Sequence, residues 1–316
     1  NGQLYVTAPS YGLNEASGII WVLRNLQQDD GSFAWSLNNY LTPPANVLSS
    51  QFGFSVFTNG SRVGIGAPSA GGTGAVYLYD CSVSDDDFPT FPYLGSFSPD
   101  GLLGDALFGT DLFIGPTTLA VAAPGSDQYG PDHGRILLLD LETISAPVNQ
   151  QVPYDLSVPQ TALEVLAPGA VTGFGSRVVL GVHHANDYQG IVQLVDNSNG
   201  NWIQDAVLQI DDGSQPNLFG YDVAQHENIL AVGAPGVDGS GSVYIFENTE
   251  SGYQFRSKIL PPRSVNIAFG YAVDVTKDDD GNAFVAIGSP GITLGTGQVN
   301  NPGSCYLYRA GAADYT

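Results

Sequence analysis

The chain has 316 residues, a length that fits either two ordinary domains or one large repeat architecture. Its formal net charge is −22, from 31 acidic and 9 basic residues, which argues against binding nucleic acid and against adhesion to anionic lipid. No stretch approaches the roughly 18 apolar residues of a membrane helix, so we expect no membrane insertion. Only 13% of residues are charged, while Gly numbers 40 and Pro 20, a mixture that favours short strands and tight turns over helices.

A short apolar strand, usually ending in small residues and proline, recurs six times along the chain. The copies are Leu4–Pro9, Val63–Pro68, Leu119–Pro124, Val178–His183, Leu230–Pro235 and Val285–Pro290. Their first residues are 52 to 59 positions apart, and so regular a period indicates internal structural repeats.

A Gly-rich turn leads from each copy to a further strand that is rich in β-branched and aromatic residues. These strands are Gly18–Leu23, Ala75–Tyr79, Arg135–Leu139, Ile191–Val195, Ser242–Phe246 and Cys305–Tyr308. Four repeats begin with a Phe-Gly pair that opens another strand: Phe52-Gly53, Phe108-Gly109, Phe219-Gly220 and Phe269-Gly270. A more polar strand closes each repeat, as in Tyr253–Leu260.

The fourth repeat departs from this pattern. Its Phe174-Gly175 pair comes only a few residues before the next strand, too close to open a repeat. Gly175–Val178 instead aligns with Gly60–Val63 of the second repeat, so we predict the opening strand at Ala162–Leu166.

Four short antiparallel strands per repeat predict an all-β fold, a β-propeller of six four-stranded blades that forms a single domain over residues 1–316. The repeats cover approximately 1–45, 46–100, 101–158, 159–212, 213–262 and 263–316. The first repeat lacks its opening strand and the last lacks its closing strand. Either flanking residues are missing from this sequence, or a neighbouring subunit donates a strand, or side-chain contacts alone seal the ring.

The motif Phe219-Gly220 followed by Gly233-Ala234-Pro235 resembles the FG-GAP repeat of integrin α subunits and of related extracellular proteins. The pattern extends over essentially the whole chain. The resemblance implies an extracellular or cell-surface protein with a structural or interaction role, in cell adhesion or as the filament subunit of a surface appendage. Its partners would be other proteins, or further copies that meet at exposed blade edges.

Two other functions stay open: a glycan-binding lectin that uses clefts between blades, and a propeller hydrolase. The sequence contains no nucleophile elbow, phosphate-binding loop or zinc-protease motif, so we expect no enzymatic activity. Trp21, Trp35 and Trp202 are possible sugar-stacking residues, although we expect Trp21 to be part of the core.

The resemblance also raises the question of calcium, because many FG-GAP blades carry an Asp-x-Asp-x-Asp-Gly loop between their first two strands. The sixth repeat has the nearest equivalent, in which Asp278, Asp280 and Asn282 are candidate ligands. Thr276 and Phe284 stand where the family has acids, so the alternative is a solvated acidic turn.

Three other features bear on modification or metal binding. Asn59, in the sequon Asn59-Gly60-Ser61, is a predicted N-glycosylation site in a turn. His183 and His184 replace the Pro-Ser of other repeats, and adjacent strand residues point to opposite faces, so we predict no zinc site there. We expect Cys305 to face the core, whereas Cys81, near a strand end, is either free or links subunits.

Overall fold

The structure is a computed structural model. It describes residues 3–11, 17–28, 30–44, 50–81, 91–99, 102, 105–126, 134–141, 154–155, 169–197, 202–211, 216–262, 268–278, 280–290 and 303–309. The chain divides into two compact units, Asn1–Val158 and Pro159–Thr316. This division coincides with the predicted boundary between the third and fourth repeats.

Three antiparallel sheets make up the first unit. The first sheet contains β1 (Gln3–Ala8), β2 (Ile19–Gln27) and β3 (Phe33–Leu41). The second contains β4 (Ser55–Thr58), β5 (Arg62–Ala67), β6 (Ala75–Asp80) and β7 (Tyr93–Phe97). The third contains β8 (Leu112–Ile114), β9 (Thr118–Ala123), β10 (Arg135–Asp140) and β11 (Tyr154–Asp155).

Three further antiparallel sheets make up the second unit. The fourth sheet contains β12 (Ala170–Phe174), β13 (Arg177–Val182), β14 (Ile191–Asp196) and β15 (Ile203–Leu208). The fifth contains β16 (Val223–His226), β17 (Ile229–Ala234), β18 (Ser242–Thr249) and β19 (Gly252–Ile259). The sixth contains β20 (Ala272–Lys277), β21 (Ala283–Ser289) and β22 (Ser304–Arg309). A four-residue helical turn, α1 (Ala185–Tyr188), follows β13.

The prediction of an all-β fold is confirmed, and the six sheets are consistent with propeller-like blades. Within each sheet the strands lie side by side in chain order, so a complete sheet has an opening, a second, a third and a closing strand. In the described residues the first sheet has the last three of these strands and the sixth sheet has the first three.

The predicted opening strand of the fourth repeat is wrong. The opening strand is β12, and Phe174 is its last residue, next to the turn into β13. The residues predicted for it, 162–166, lie outside the described part of the chain. Gly169 takes the place of the Phe-Gly glycine, because its N–H donates to the Gly181 carbonyl just as the Gly220 N–H donates to Gly233. Pro168 precedes it instead of phenylalanine, which is why the motif was missed.

The hydrophobic core lies between consecutive sheets within each unit. The four phenylalanines of the Phe-Gly pairs are completely buried there: Phe52, Phe108, Phe219 and Phe269. In the second unit, for example, Phe269 belongs to a cluster with Ala231 and Ile245 of the fifth sheet and Val285 of the sixth. Each phenylalanine therefore anchors the sheet that it opens against the preceding sheet.

The glycines of the motif let consecutive sheets approach at the backbone. A methyl group on Gly233 would overlap the carbonyl oxygen of Gly270, which opens the next sheet. The same holds for Gly66 against Gly109 and for Gly181 against Gly220. Only a residue without Cβ fits at these contacts, so the two halves of the motif pack against each other across neighbouring repeats.

Candidate functional site

A continuous row of five rings extends over the fourth, fifth and sixth sheets. In order along the row these are Tyr188, His184, His183, Tyr221 and Tyr271. The distances between successive ring centroids are 5.0, 4.0, 4.8 and 4.6 Å. We call this set the ring row.

The fold brings these residues together because they all lie at the same end of their sheets. His183 directly follows the second strand β13, whereas Tyr221 precedes the opening strand β16. The end of a second strand and the start of an opening strand meet in an antiparallel sheet, as in the pairing of Ala170 with Gly181. A backbone hydrogen bond from the Leu218 N–H to the Tyr188 carbonyl joins the loops of the fourth and fifth sheets.

The turn α1 presents Tyr188 through an unusual backbone. Asn186, Asp187 and Tyr188 have φ angles of 52°, 55° and 65°, which is the left-handed region. Non-glycine residues adopt this region at a cost of order 1 kcal/mol or more each, and such strain is concentrated at functional sites. The exposed Tyr188 ring lies against His184.

The prediction that His183 and His184 point in opposite directions is wrong. β13 ends at Val182, so both histidines belong to the turn and the alternation of a strand does not apply to them. Their rings are in contact, with His183 the deeper of the two. Burial, and then the neighbouring His184, lower the pKa of His183 to about 4, so this imidazole is neutral at neutral pH.

Asp222 lies beside the two tyrosines and bridges two sheets. Its carboxylate accepts hydrogen bonds from the Val223 N–H at 3.0 Å and from the Val273 N–H of the sixth sheet at 2.6 Å. Burial raises its pKa to about 6 despite these bonds, and the nearby Asp274 adds to the rise. The pKa of Asp274 is raised as well, mainly by burial, and His226 partly offsets that rise.

The predicted calcium loop is closed by its own hydrogen bonds. Asp278 Oδ1 accepts from the backbone N–H groups of Asp280 and Asn282, and both Asp278 oxygens accept from Asn282 Nδ2. These bonds, led by the one from the Asn282 side chain, lower the pKa of Asp278. The carboxylate thus caps the turn, and the side chain of Phe284 offers no oxygen ligand. Calcium binding stays a prediction.

The predicted glycosylation site is exposed at the turn between β4 and β5. Asn59 Oδ1 accepts from the N–H groups of Ser61 and Arg62, and Nδ2 donates to the Gly115 carbonyl of the third sheet at 3.1 Å. A glycosylated amide keeps one N–H, so this contact is compatible with modification. Glycosylation of Asn59 stays a prediction.

The prediction that Cys305 faces the core is wrong, because this residue is exposed on β22. Cys81 is free, one of its two predicted states, and it is buried with its Sγ 3.6 Å from Thr58 Oγ1. A buried Cys81 is not available to link subunits.

Trp21, predicted to be core, is only half-buried against Tyr11, whereas Trp35 is exposed and Trp202 is half-buried.

Clusters of metal-binding side chains and membrane-spanning helices are both absent from the described residues. Nowhere in that part of the chain do three or more His, Cys, Asp or Glu side chains come together in a way that could hold a metal ion. Its helical content likewise offers no segment of the length and apolarity needed to cross a membrane.

The fold and the glycine contacts define a repeat protein whose structural unit is an antiparallel sheet that packs on the next one. The model of the FG-GAP repeat matches residues 202–246, so the chain contains an FG-GAP repeat over this segment. The matched segment begins just before β15, the closing strand of the fourth sheet, and continues through the first two strands of the fifth sheet into β18. A search of the curated proteins finds no match.

Sequence reasoning did not find the ring row, although one signal was present. Tyr221 and Tyr271 each directly follow a Phe-Gly pair, and His183-His184 replaces Pro-Ser at the same end of the preceding sheet. Aligning the repeats by their strand ends would have grouped these rings.

Proposed function

We propose that the six sheets are the blades of a β-propeller, and that the protein is a non-catalytic interaction module of the extracellular space or cell surface. The FG-GAP repeat supports this proposal because such repeats are typical of extracellular and cell-surface proteins. The strongly acidic composition, with a net charge of −22, agrees with a soluble protein that does not bind polyanions.

The observation that carries the proposed interaction is the free edge of β22. In the second to fifth sheets a closing strand pairs with the third strand, but among the described residues β22 pairs with β21 alone. At the other end, β1 pairs with β2 alone, where four-stranded sheets have an opening strand. A free strand edge offers a row of N–H and C=O groups to which another strand can add.

β22 also lacks the features that blunt the edge of a complete sheet. In the fifth sheet the closing strand β19 carries Arg256 and Lys258, and its register with β18 shifts at a bulge. The register of β22 with β21 is continuous, and its one cation is Arg309 at the last position. Leu307, at its centre, is 70% exposed. Charges and bulges protect edges against pairing, so β22 is an open site for strand addition.

The occupant that we propose is β1 of a second copy. Among the described residues no closing strand pairs with β22 and no opening strand pairs with β1, so each edge can pair with the other. β1 also exposes Leu4 and Val6 and has no charged residue. Because the contact joins two different surfaces, it leads to head-to-tail growth, as a filament subunit requires.

Substitution of the exposed leucine tests this assembly. We expect the wild-type protein to show a mass that rises with concentration above that of one chain, measured by size-exclusion chromatography with light scattering. Leu307→Lys adds a charge at the edge and should reduce the mass to that of one chain. Ile203→Lys, at an exposed position on the closing strand β15, is the control and should assemble like the wild type. A single-chain mass for the wild type at every concentration would overturn self-assembly and favour a different protein partner.

A further inference from the structure

The ring row ends in an open pair of tyrosines. The rings of Tyr221 and Tyr271 are inclined at 44° to each other with centroids 4.6 Å apart. Tyr271 is 45% exposed, so part of this pair is accessible to a ligand. The faces of such rings carry negative partial charge and attract cations, most strongly where water is partly excluded.

The carboxylate of Asp222 lies beside Tyr221, and Asp274 lies near Asp222. Asp222 is close enough to Tyr221 to raise the pKa of its hydroxyl, an effect secondary to burial and to Tyr271. In the part of the chain that the structure describes, neither Asp222 nor Asp274 forms an ion pair with Lys or Arg. Asp274 adds to the rise in the pKa of Asp222, and His226 acts on Asp274 and lowers its pKa.

The next member of the row adds no positive charge. His183 contacts Tyr221 at 4.8 Å and is neutral at neutral pH. The pair of tyrosines therefore combines electron-rich rings with the partly desolvated charge of Asp222, which has no Lys or Arg partner among the described residues. A positively charged group placed there would offset the cost of the buried carboxylate.

We propose that Tyr221, Tyr271 and Asp222 form a binding site for an alkylated ammonium group. Alkylation suits the site because rings contact the methyl groups and need not supply hydrogen-bond acceptors. Asp222 supplies the charge while its oxygens stay bonded to the backbone of Val223 and Val273. An anionic ligand would face like charge, and a neutral sugar would leave the carboxylates without a countercharge.

A pair of isosteric probes separates charge from shape. Choline and 3,3-dimethylbutan-1-ol have the same outline and differ in the central positive charge. We expect calorimetric titration of the whole chain at neutral pH to show choline binding, with the neutral alcohol about tenfold weaker or worse. N-acetylglucosamine, the third probe, should not bind.

Variants then assign the binding to these residues. Tyr271→Ala, at an exposed position, and Asp222→Asn should each weaken choline binding about tenfold. Tyr40→Ala removes an exposed tyrosine of the first sheet and should leave it unchanged. Circular dichroism and thermal unfolding identify any variant that has lost its fold. If Asp222→Asn has lost it, the choline binding of Tyr271→Ala alone decides whether the site is as proposed. Equal binding of both isosteres, binding of the sugar alone, or no binding of choline would each overturn the proposal. None of these outcomes bears on assembly through β22, which rests on a different surface.

Discussion

At the residue scale, Asp222 and His183 titrate in the same pH range with opposite effects on stability. The pKa of Asp222 rises from 3.8 to about 6, so the folded state holds the proton more tightly and its stability falls as pH rises from about 4 to 6. The pKa of His183 falls from 6.5 to about 4, so the folded state resists protonation and its stability rises over nearly the same range. Each shift corresponds to at most about 3 kcal/mol, reduced by whatever solvent reaches the group.

Removing either group should reveal how the other one changes the free energy of unfolding with pH. We expect His183→Phe to give a free energy of unfolding that falls between pH 4 and 6, because Asp222 and Asp274 then dominate. Asp222→Asn should give a free energy that rises between pH 4 and 6.5, because His183 then dominates. Urea unfolding at several pH values measures both slopes, and Asp211→Asn, at an exposed position, is the control. Identical slopes in the two variants would show that these groups are not buried as described.

The sequence indicated these residues but not their contact. His183 and His184 stood out because they replace Pro-Ser, yet they were assigned to a strand that ends one residue earlier. Tyr221 and Tyr271 are 50 positions apart and meet only because consecutive sheets pack face to face. Such contacts depend on how repeats stack, which a strand pattern within one repeat does not specify.

At the scale of the element, the glycine of the second strand sets how closely one sheet approaches the next. Gly233 contacts the Gly270 backbone of the following sheet, whereas its counterpart Gly288 in the sixth sheet meets only Ala272 of its own sheet, at 3.1 Å from an added Cβ. Gly233→Ala should therefore lower the free energy of unfolding by about 1–3 kcal/mol, because backbone atoms cannot move aside. Gly288→Ala should cost less, because a contact at 3.1 Å is relieved by a small shift, whereas a Cβ on Gly233 would overlap the Gly270 carbonyl oxygen. Denaturant unfolding of the pair provides the comparison, and equal losses would contradict the described contact between the sheets.

The second and third strands of all six repeats were predictable for a physical reason. Both faces of these strands are covered by neighbouring sheets over most of the chain, so their residues form nearly unbroken apolar runs. The opening strand β12 escaped prediction because Pro168-Gly169 replaces Phe-Gly there, while the hydrogen bond from the Gly169 N–H is retained. Backbone geometry thus persists at a position where the side-chain signal has been lost.

At the scale of the whole molecule, the net charge opposes the proposed assembly. Each copy carries −22, so two copies repel each other over a range that salt shortens to about 10 Å at 0.1 M. We expect the assembled fraction to increase between about 0.02 and 0.5 M NaCl, measured by sedimentation velocity. Leu307→Lys should stay a single chain at both concentrations. A wild-type assembled fraction that falls with salt would indicate an interface held by opposite charges instead of by strand pairing.

The offset between the matched FG-GAP segment and the sheets has a consequence for how such chains gain length. One copy of the segment supplies the last strand of one sheet and the opening, second and third strands of the next. Duplication or loss of a copy by recombination therefore leaves every interior sheet with four strands, whatever the number of copies. Copy number can therefore change during evolution without creating an unpaired strand inside the molecule.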